Sequence, residues 1–151
     1  KKIIIVKGNH DGHIEKLVPN KLQKQVKIKK DLSIGEYFIT HGHRNGRTNK
    51  KYIITGHNQP SVKLIDRIGA SYTLPCWVIG KLKTINQKLA KNQEQQELTI
   101  IPAFNPLAGS GIVNQDQLIG PIAKHLDKST AHVYLLDGTD LGTIKDLQLE
   151  Y

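Results

Sequence analysis

Ile3-Ile4-Ile5-Val6-Lys7-Gly8-Asn9-His10-Asp11-Gly12 sets an apolar run directly against a polar turn bracketed by glycine. A short continuous apolar run is the pattern of a strand buried on both faces, as in the parallel sheets of α/β proteins. The same succession occurs twice more. Ile34 to Thr40 leads into His41-Gly42-His43, and Tyr52 to Thr55 leads into Gly56-His57-Asn58-Gln59-Pro60. Sites in α/β sheets gather beyond the carboxyl ends of strands, so three such turns can converge on one place. Imidazole with amide or carboxylate oxygen is a ligand set for Mn, Fe or Zn rather than for a soft thiolate site. Glycine lets the backbone approach a metal or a phosphate. His13, His125 and His132 stand apart from these turns and read as solvated or locally hydrogen-bonded residues.

The rest of the chain fills in around those turns. His13 to Leu17 starts a short helix, stopped at Pro19-Asn20. Gln25 to Lys30 alternates apolar and basic residues and reads as an exposed strand. Val62 to Ile68 and Ser71 to Ile79 form a hairpin pattern around Gly69-Ala70. Residues 81–96 are rich in Lys and Gln and free of proline, which fits either a solvated helix or a long mobile insertion. Leu98 to Ile101 reads as a buried strand, and Asp116 to Leu126 as a short helix interrupted at Gly120-Pro121. His132 to Leu136 and Ile144 to Leu149 complete the set as strands. No repeat or linker divides residues 1–151. The expectation is one domain, the mainly β portion of a layered α/β fold.

Composition narrows the functional classes. The 151 residues are enough for one domain, but the 38% hydrophobic content supports only a modest core. No apolar stretch approaches roughly 18 residues, so no membrane partner is expected. The single cysteine, Cys76, excludes an internal disulfide framework and a cysteine zinc site; beside Trp77 it reads as a core residue. The opening Lys1-Lys2 does not match a secretory signal, and the expected setting is cytoplasmic. The chain has no Met and opens on a strand, which leads to the expectation that it is the downstream part of something longer. The net charge of +9 suits a phosphate-bearing partner such as nucleic acid. Arg44 and Arg47 follow the His41 turn directly and are the first candidates for phosphate contacts, against the alternative of a solvated surface. Aromatic residues make up only 5%, which argues against a stacking platform for single strands.

The ordered set Gly8-Asn9-His10-Asp11, His41-Gly42-His43 and Gly56-His57 resembles the calcineurin-like metallophosphoesterases. Gly56-His57-x-x-Pro60, Leu74-Pro75-Cys76-Trp77 and Ile101-Pro102-Ala103-Phe104-Asn105-Pro106-Leu107 carry a narrower resemblance. It is to archaeal phosphoesterases related to double-strand-break-repair nucleases and to bacterial DNA-ligase-associated metallophosphoesterases. The resemblance implies a four-layer α/β/β/α sandwich with two metals, here an incomplete, strand-rich C-terminal portion. It implies Asn9, His41 and His57 as ligands of one divalent metal, Mn first, with Zn, Fe or Ni as alternatives. It implies His10 as the catalytic imidazole that contacts the phosphate and assists the leaving group. Gln59, His43 and Asp11 are further candidates, as ligands or as supporting partners.

Two departures shape the functional expectation. The family's Asp-x-His and Gly-Asp segments would lie upstream of Gly8, where this chain has only residues 1–7. The family's final Gly-His-x-His is here Gly56-His57-Asn58-Gln59. At most one of the two metals is therefore expected on this chain. The parent activity is metal-dependent hydrolysis of a phosphodiester, nuclease-like, with little or no turnover expected from these residues alone. The alternative is a catalytically degenerate module, derived from that fold, that binds nucleic acid or protein.

Overall fold

The computed structural model describes residues 1–83, 95–105 and 107–148. Most of the polar stretch at residues 81–96 lies outside the described residues, as does the end of the strand expected at Ile144 to Leu149.

The apolar runs become strands, sorted into two units. β1 (Ile3–Val6) and β2 (Val26–Lys29) pair in parallel as a two-stranded ribbon, connected through a short helix, α1 (Ile14–Leu17). The larger unit contains β3 (Asp31–Ile34), β4 (Tyr37–Thr40), β5 (Tyr52–Thr55), β6 (Pro60–Ile65), β7 (Ser71–Lys81), β8 (Glu97–Ile100), β9 (Gly111–Ile112), β10 (His132–Leu135) and β11 (Asp140–Thr143). Its strand order is β11-β10-β7-β8-β5-β4-β3, with β6 joining β7 and β9. β4, β5 and β8 run parallel at its centre, and the flanking pairs are antiparallel. This is a mixed open sheet, rich in strands and poor in helix.

β7 belongs to two partnerships. Ser71–Pro75 pairs with β6, while Cys76–Lys81 pairs with β10 and β8. The change of partners falls at Pro75, which has no amide hydrogen to give to a ladder. From there the alternation is plain: Cys76, Val78 and Gly80 are buried, and Trp77 between them is 38% exposed and opposite Tyr134. Cys76 is accordingly a core residue, and burial pushes its thiol up to about 12.

The core lies on one face of the central strands. Phe38, Ile53, Leu98, Ile100, Val78 and Val133 face it, closed by Ile122, Leu126 and Ile144. The other face carries the alternate residues, among them Tyr37 stacked on Tyr52.

Several sequence expectations change in the folded chain. β1 is not buried on both faces: Ile3 is 45% exposed and Ile4 41%, and β1 pairs only with β2, in a ribbon separate from the nine-stranded sheet's hydrogen-bond ladder. The run from Ile34 to Thr40 is not one strand: Ile34 ends β3, the chain folds back through Gly35-Glu36, and β4 starts at Tyr37. No α-helix forms between Asp116 and Leu126; only Ala123–His125 makes a 3-10 turn. Gly120 sits at φ +89, and a side chain there would bring its Cβ within 2.5 Å of the Gly42 carbonyl oxygen. That posture ends any helix and lays the loop against the His41 turn. The last described strand is β11, ahead of Ile144; Ile144 itself is a fully buried plug following it.

Candidate metal and phosphate site

β4 and β5 are parallel neighbours, so their carboxyl ends deliver His41 and His57 to the same edge of the sheet. The His41 carbonyl accepts from the backbone N–H groups of Gly56, at 3.2 Å, and His57, at 2.9 Å, locking the two turns together. β1 ends at the same place. Gly8 lies beneath the His41 ring, where a Cβ would come within 3.0 Å of His41 Cε1. Its N–H donates to Asp11 Oδ2 at 2.7 Å, so Asp11 closes the turn that presents Asn9 and His10.

Three lone-pair atoms converge there. His41 Nε2 lies 2.8 Å from Asn9 Oδ1 and 3.2 Å from His57 Nδ1. Ligands at the usual metal–nitrogen distance of about 2.0–2.1 Å are separated from one another by about 3.0–3.4 Å, close to the spacings present. Two imidazoles and one amide oxygen are the atoms here that could hold a divalent cation of borderline character. Among the described residues, no group of three or more His, Cys, Asp or Glu is placed to hold a metal; the third donor here is an amide.

The imidazoles favour their neutral forms. Burial pushes His41 below the ordinary histidine value, helped by His57 and His43 and opposed by Asp11. Burial does the same to His57, with His43 and His10 adding to it. His43 is lowered by burial and by the Arg44 charge. Its ring lies edge-on to His41 at 5.1 Å, and both of its nitrogens are buried without a hydrogen-bond partner. His43 thus stands next to both His41 and His57, its ring 6.0 Å from that of His57. Exposed His10 lies close enough to influence both His41 and His57. Arg44 and Arg47 are both exposed.

Gln59 belongs to an adjoining cleft. It has φ +46, and its carbonyl accepts from Gly111 N–H at 3.2 Å. The cleft has a volume of about 400 Å³ and lies between His57-Asn58-Gln59, residues 109–113 and residues 116–119. Asn58 fixes its far wall: Nδ2 donates to the Ile119 carbonyl at 3.1 Å, and Oδ1 accepts from Ile119 N–H at 2.7 Å. Sequence reasoning missed Asn58, Ile119 and the cleft. The one local signal was an amide directly after His57; its partner lies 61 positions away in sequence. Of the histidines set aside earlier, His132 is locally bonded, with Nδ1 at 3.0 Å from Asp140.

No family model matches the chain, and no curated protein or solved structure matches it at a significant level. No helix among the described residues is long and apolar enough to cross a membrane.

Proposed function

We propose that this protein is a metal-dependent phosphoester hydrolase whose described residues hold one divalent cation. The carrying observation is the convergence of Asn9 Oδ1, His41 Nε2 and His57 Nδ1, with spacings of 2.8 and 3.2 Å around His41. A divalent cation held by these residues supplies Lewis-acid neutralisation of phosphoryl oxygens. The protein's own groups do the rest. Gly8 and Asp11 fix the turn that carries His10, which is exposed and within electrostatic reach of His41 and His57. Water adds to phosphorus as the bond to the departing oxygen breaks, and an imidazole there delivers the proton that oxygen takes up, the role general-acid histidines fill. Arg44 and Arg47 supply positive charge for the phosphodiester backbone, in keeping with the net charge of +9.

Calorimetric titration with Mn²⁺, then Zn²⁺, tests this reading, with His57→Ala as the control. The expected result is saturable binding near one cation per chain, weakened by about tenfold or more in the variant. Equal binding by the variant overturns the assignment. The second reading, a binding module without catalysis, is favoured by Gln59, which stands where the resembling family has a further histidine and lines the adjoining cleft. A chain that binds Mn²⁺ and nucleic acid but leaves an aryl phosphodiester intact supports that reading.

A further inference from the structure

The cleft beside His57 is not used by the cation or by His10, and its position asks for an occupant. We infer that it is the subsite for a nucleoside carried on the phosphate, with Gln59 as the residue that reads the base. The inference rests on the phosphoesterase reading for the location of the phosphate. Its chemistry comes from the cleft itself.

Volume comes first. About 400 Å³ falls within the range of small-ligand sites and suits a group larger than a simple alkyl alcohol. Continuity comes second. His57 borders both the donor cluster and the cleft, so a substituent on a phosphate held at the cluster extends into the cleft. The walls come third. Leu118 and Ile119 give apolar surface for a ring face, while Gly109 and Gly111 bring backbone close without side chains. Ile119 is held by Asn58, so this wall is already in place.

Gln59 is the independent observation. It is the one non-glycine residue with positive φ among the described residues. Its Oε1 lies against Gly109, where a Cβ would stand 3.7 Å from it. A side chain held in a sparsely populated backbone posture at a cleft mouth is typical of ligand clamps. The carboxamide offers one acceptor and two donors, the complement of a purine edge that presents both. A glutamine at this position therefore reads the base.

The test is amide and side-chain NMR of the full 151-residue chain with separate probes: adenosine, ribose 5-phosphate, AMP and Mn²⁺. Adenosine is expected to shift the Gly109, Ser110 and Gly111 amides and the Gln59 carboxamide. AMP is expected to bind about tenfold more tightly than ribose 5-phosphate, the gain of one good two-point base contact. Gln59→Ala removes most of that gain while leaving ribose 5-phosphate affinity unchanged. Gly109→Leu, whose Cβ meets nothing closer than Gln59 Oε1, fills the cleft with the same effect. Equal affinities for AMP and ribose 5-phosphate, or no cleft shifts with adenosine, overturn the inference. Mn²⁺ broadening at His41 and His57 separates the two readings. Broadening without cleft shifts refutes the nucleoside subsite alone. Cleft shifts without broadening refute the cation site and leave a nucleoside site standing.

Discussion

The two halves of the donor cluster hang from unlike supports. His41 and His57 end β4 and β5, two central strands of a nine-stranded sheet whose inner residues Phe38, Ile53, Leu98 and Ile100 are buried. Asn9 and His10 end β1, one of two strands in a ribbon whose outer isoleucines remain nearly half exposed. An isolated strand pair is marginal in water, whereas central strands share the stability of the whole sheet. The site is thus an anchored pair of imidazoles met by a lightly held turn. The Asn9–His41 contact and the close seat of Gly8 against His41 join them. On the proposed function, a cation held there would tie the ribbon to the sheet.

The largest effect should separate the two supports directly. Leu98→Ala opens a cavity in the fully buried centre and is expected to cost about 3 kcal/mol in urea unfolding. Ile4→Ala, at a position 41% exposed, should cost less than about 1 kcal/mol. Equal costs would mean that ribbon and sheet unfold as one unit with equally consequential packing.

Acidification should act next, and on the anchored side. His41, His43 and His57 are all held below the ordinary histidine value, chiefly by burial. Their contribution to stability is full above the unfolded value of about 6.5. As pH falls below that, the unfolded chain takes up protons first, and the contribution is lost progressively through the lowered folded values. Urea midpoints measured with chelator present should therefore drop between pH 7.5 and 5.5, above the range where carboxylates titrate. The drop should shrink in His43→Gln. A flat profile would remove the electrostatic contrast between the two supports.

The smallest effect concerns the rim between site and cleft. Gln59→Gly releases the positive-φ posture, partly offset by the greater freedom of an unfolded glycine. A gain of roughly 0.5 kcal/mol is expected, together with loss of the AMP preference. Stabilisation without loss of that preference would make the posture a matter of loop geometry alone.

What the sequence revealed follows the range of the forces involved. The strand-end turns were legible because an apolar run followed by Gly, His and amide is a local pattern, and Gly8, Gly42 and Gly56 mark it. The union of His41 with His57 was inferable from the habit of parallel strands to place their ends together. The exposure of Ile3 and Ile4 was not legible, because burial of an apolar run is decided by what packs on it. The missing helix at Asp116 to Leu126 is similar: Asn58 and the Gly42 carbonyl, both distant in sequence, hold that segment in another shape. Ile144 showed its hydrophobicity but not its use, since a plug below a sheet and a strand within it have the same composition. Gln59 stood out as a departure from a histidine, and only the fold joined it to Gly109 and the cleft.

Trp77, on β7 opposite Tyr134, has a consequence for how this molecule can be watched. It is the chain's single tryptophan, and residues 1–30 contain no Phe, Tyr or Trp. Every intrinsic chromophore of this kind therefore lies outside the ribbon. Fluorescence and near-ultraviolet dichroism will follow the melting of the sheet, and any separate opening of the turn bearing Asn9 and His10 will go unseen. A single, clean optical transition would describe the darker half of the site no better than silence does.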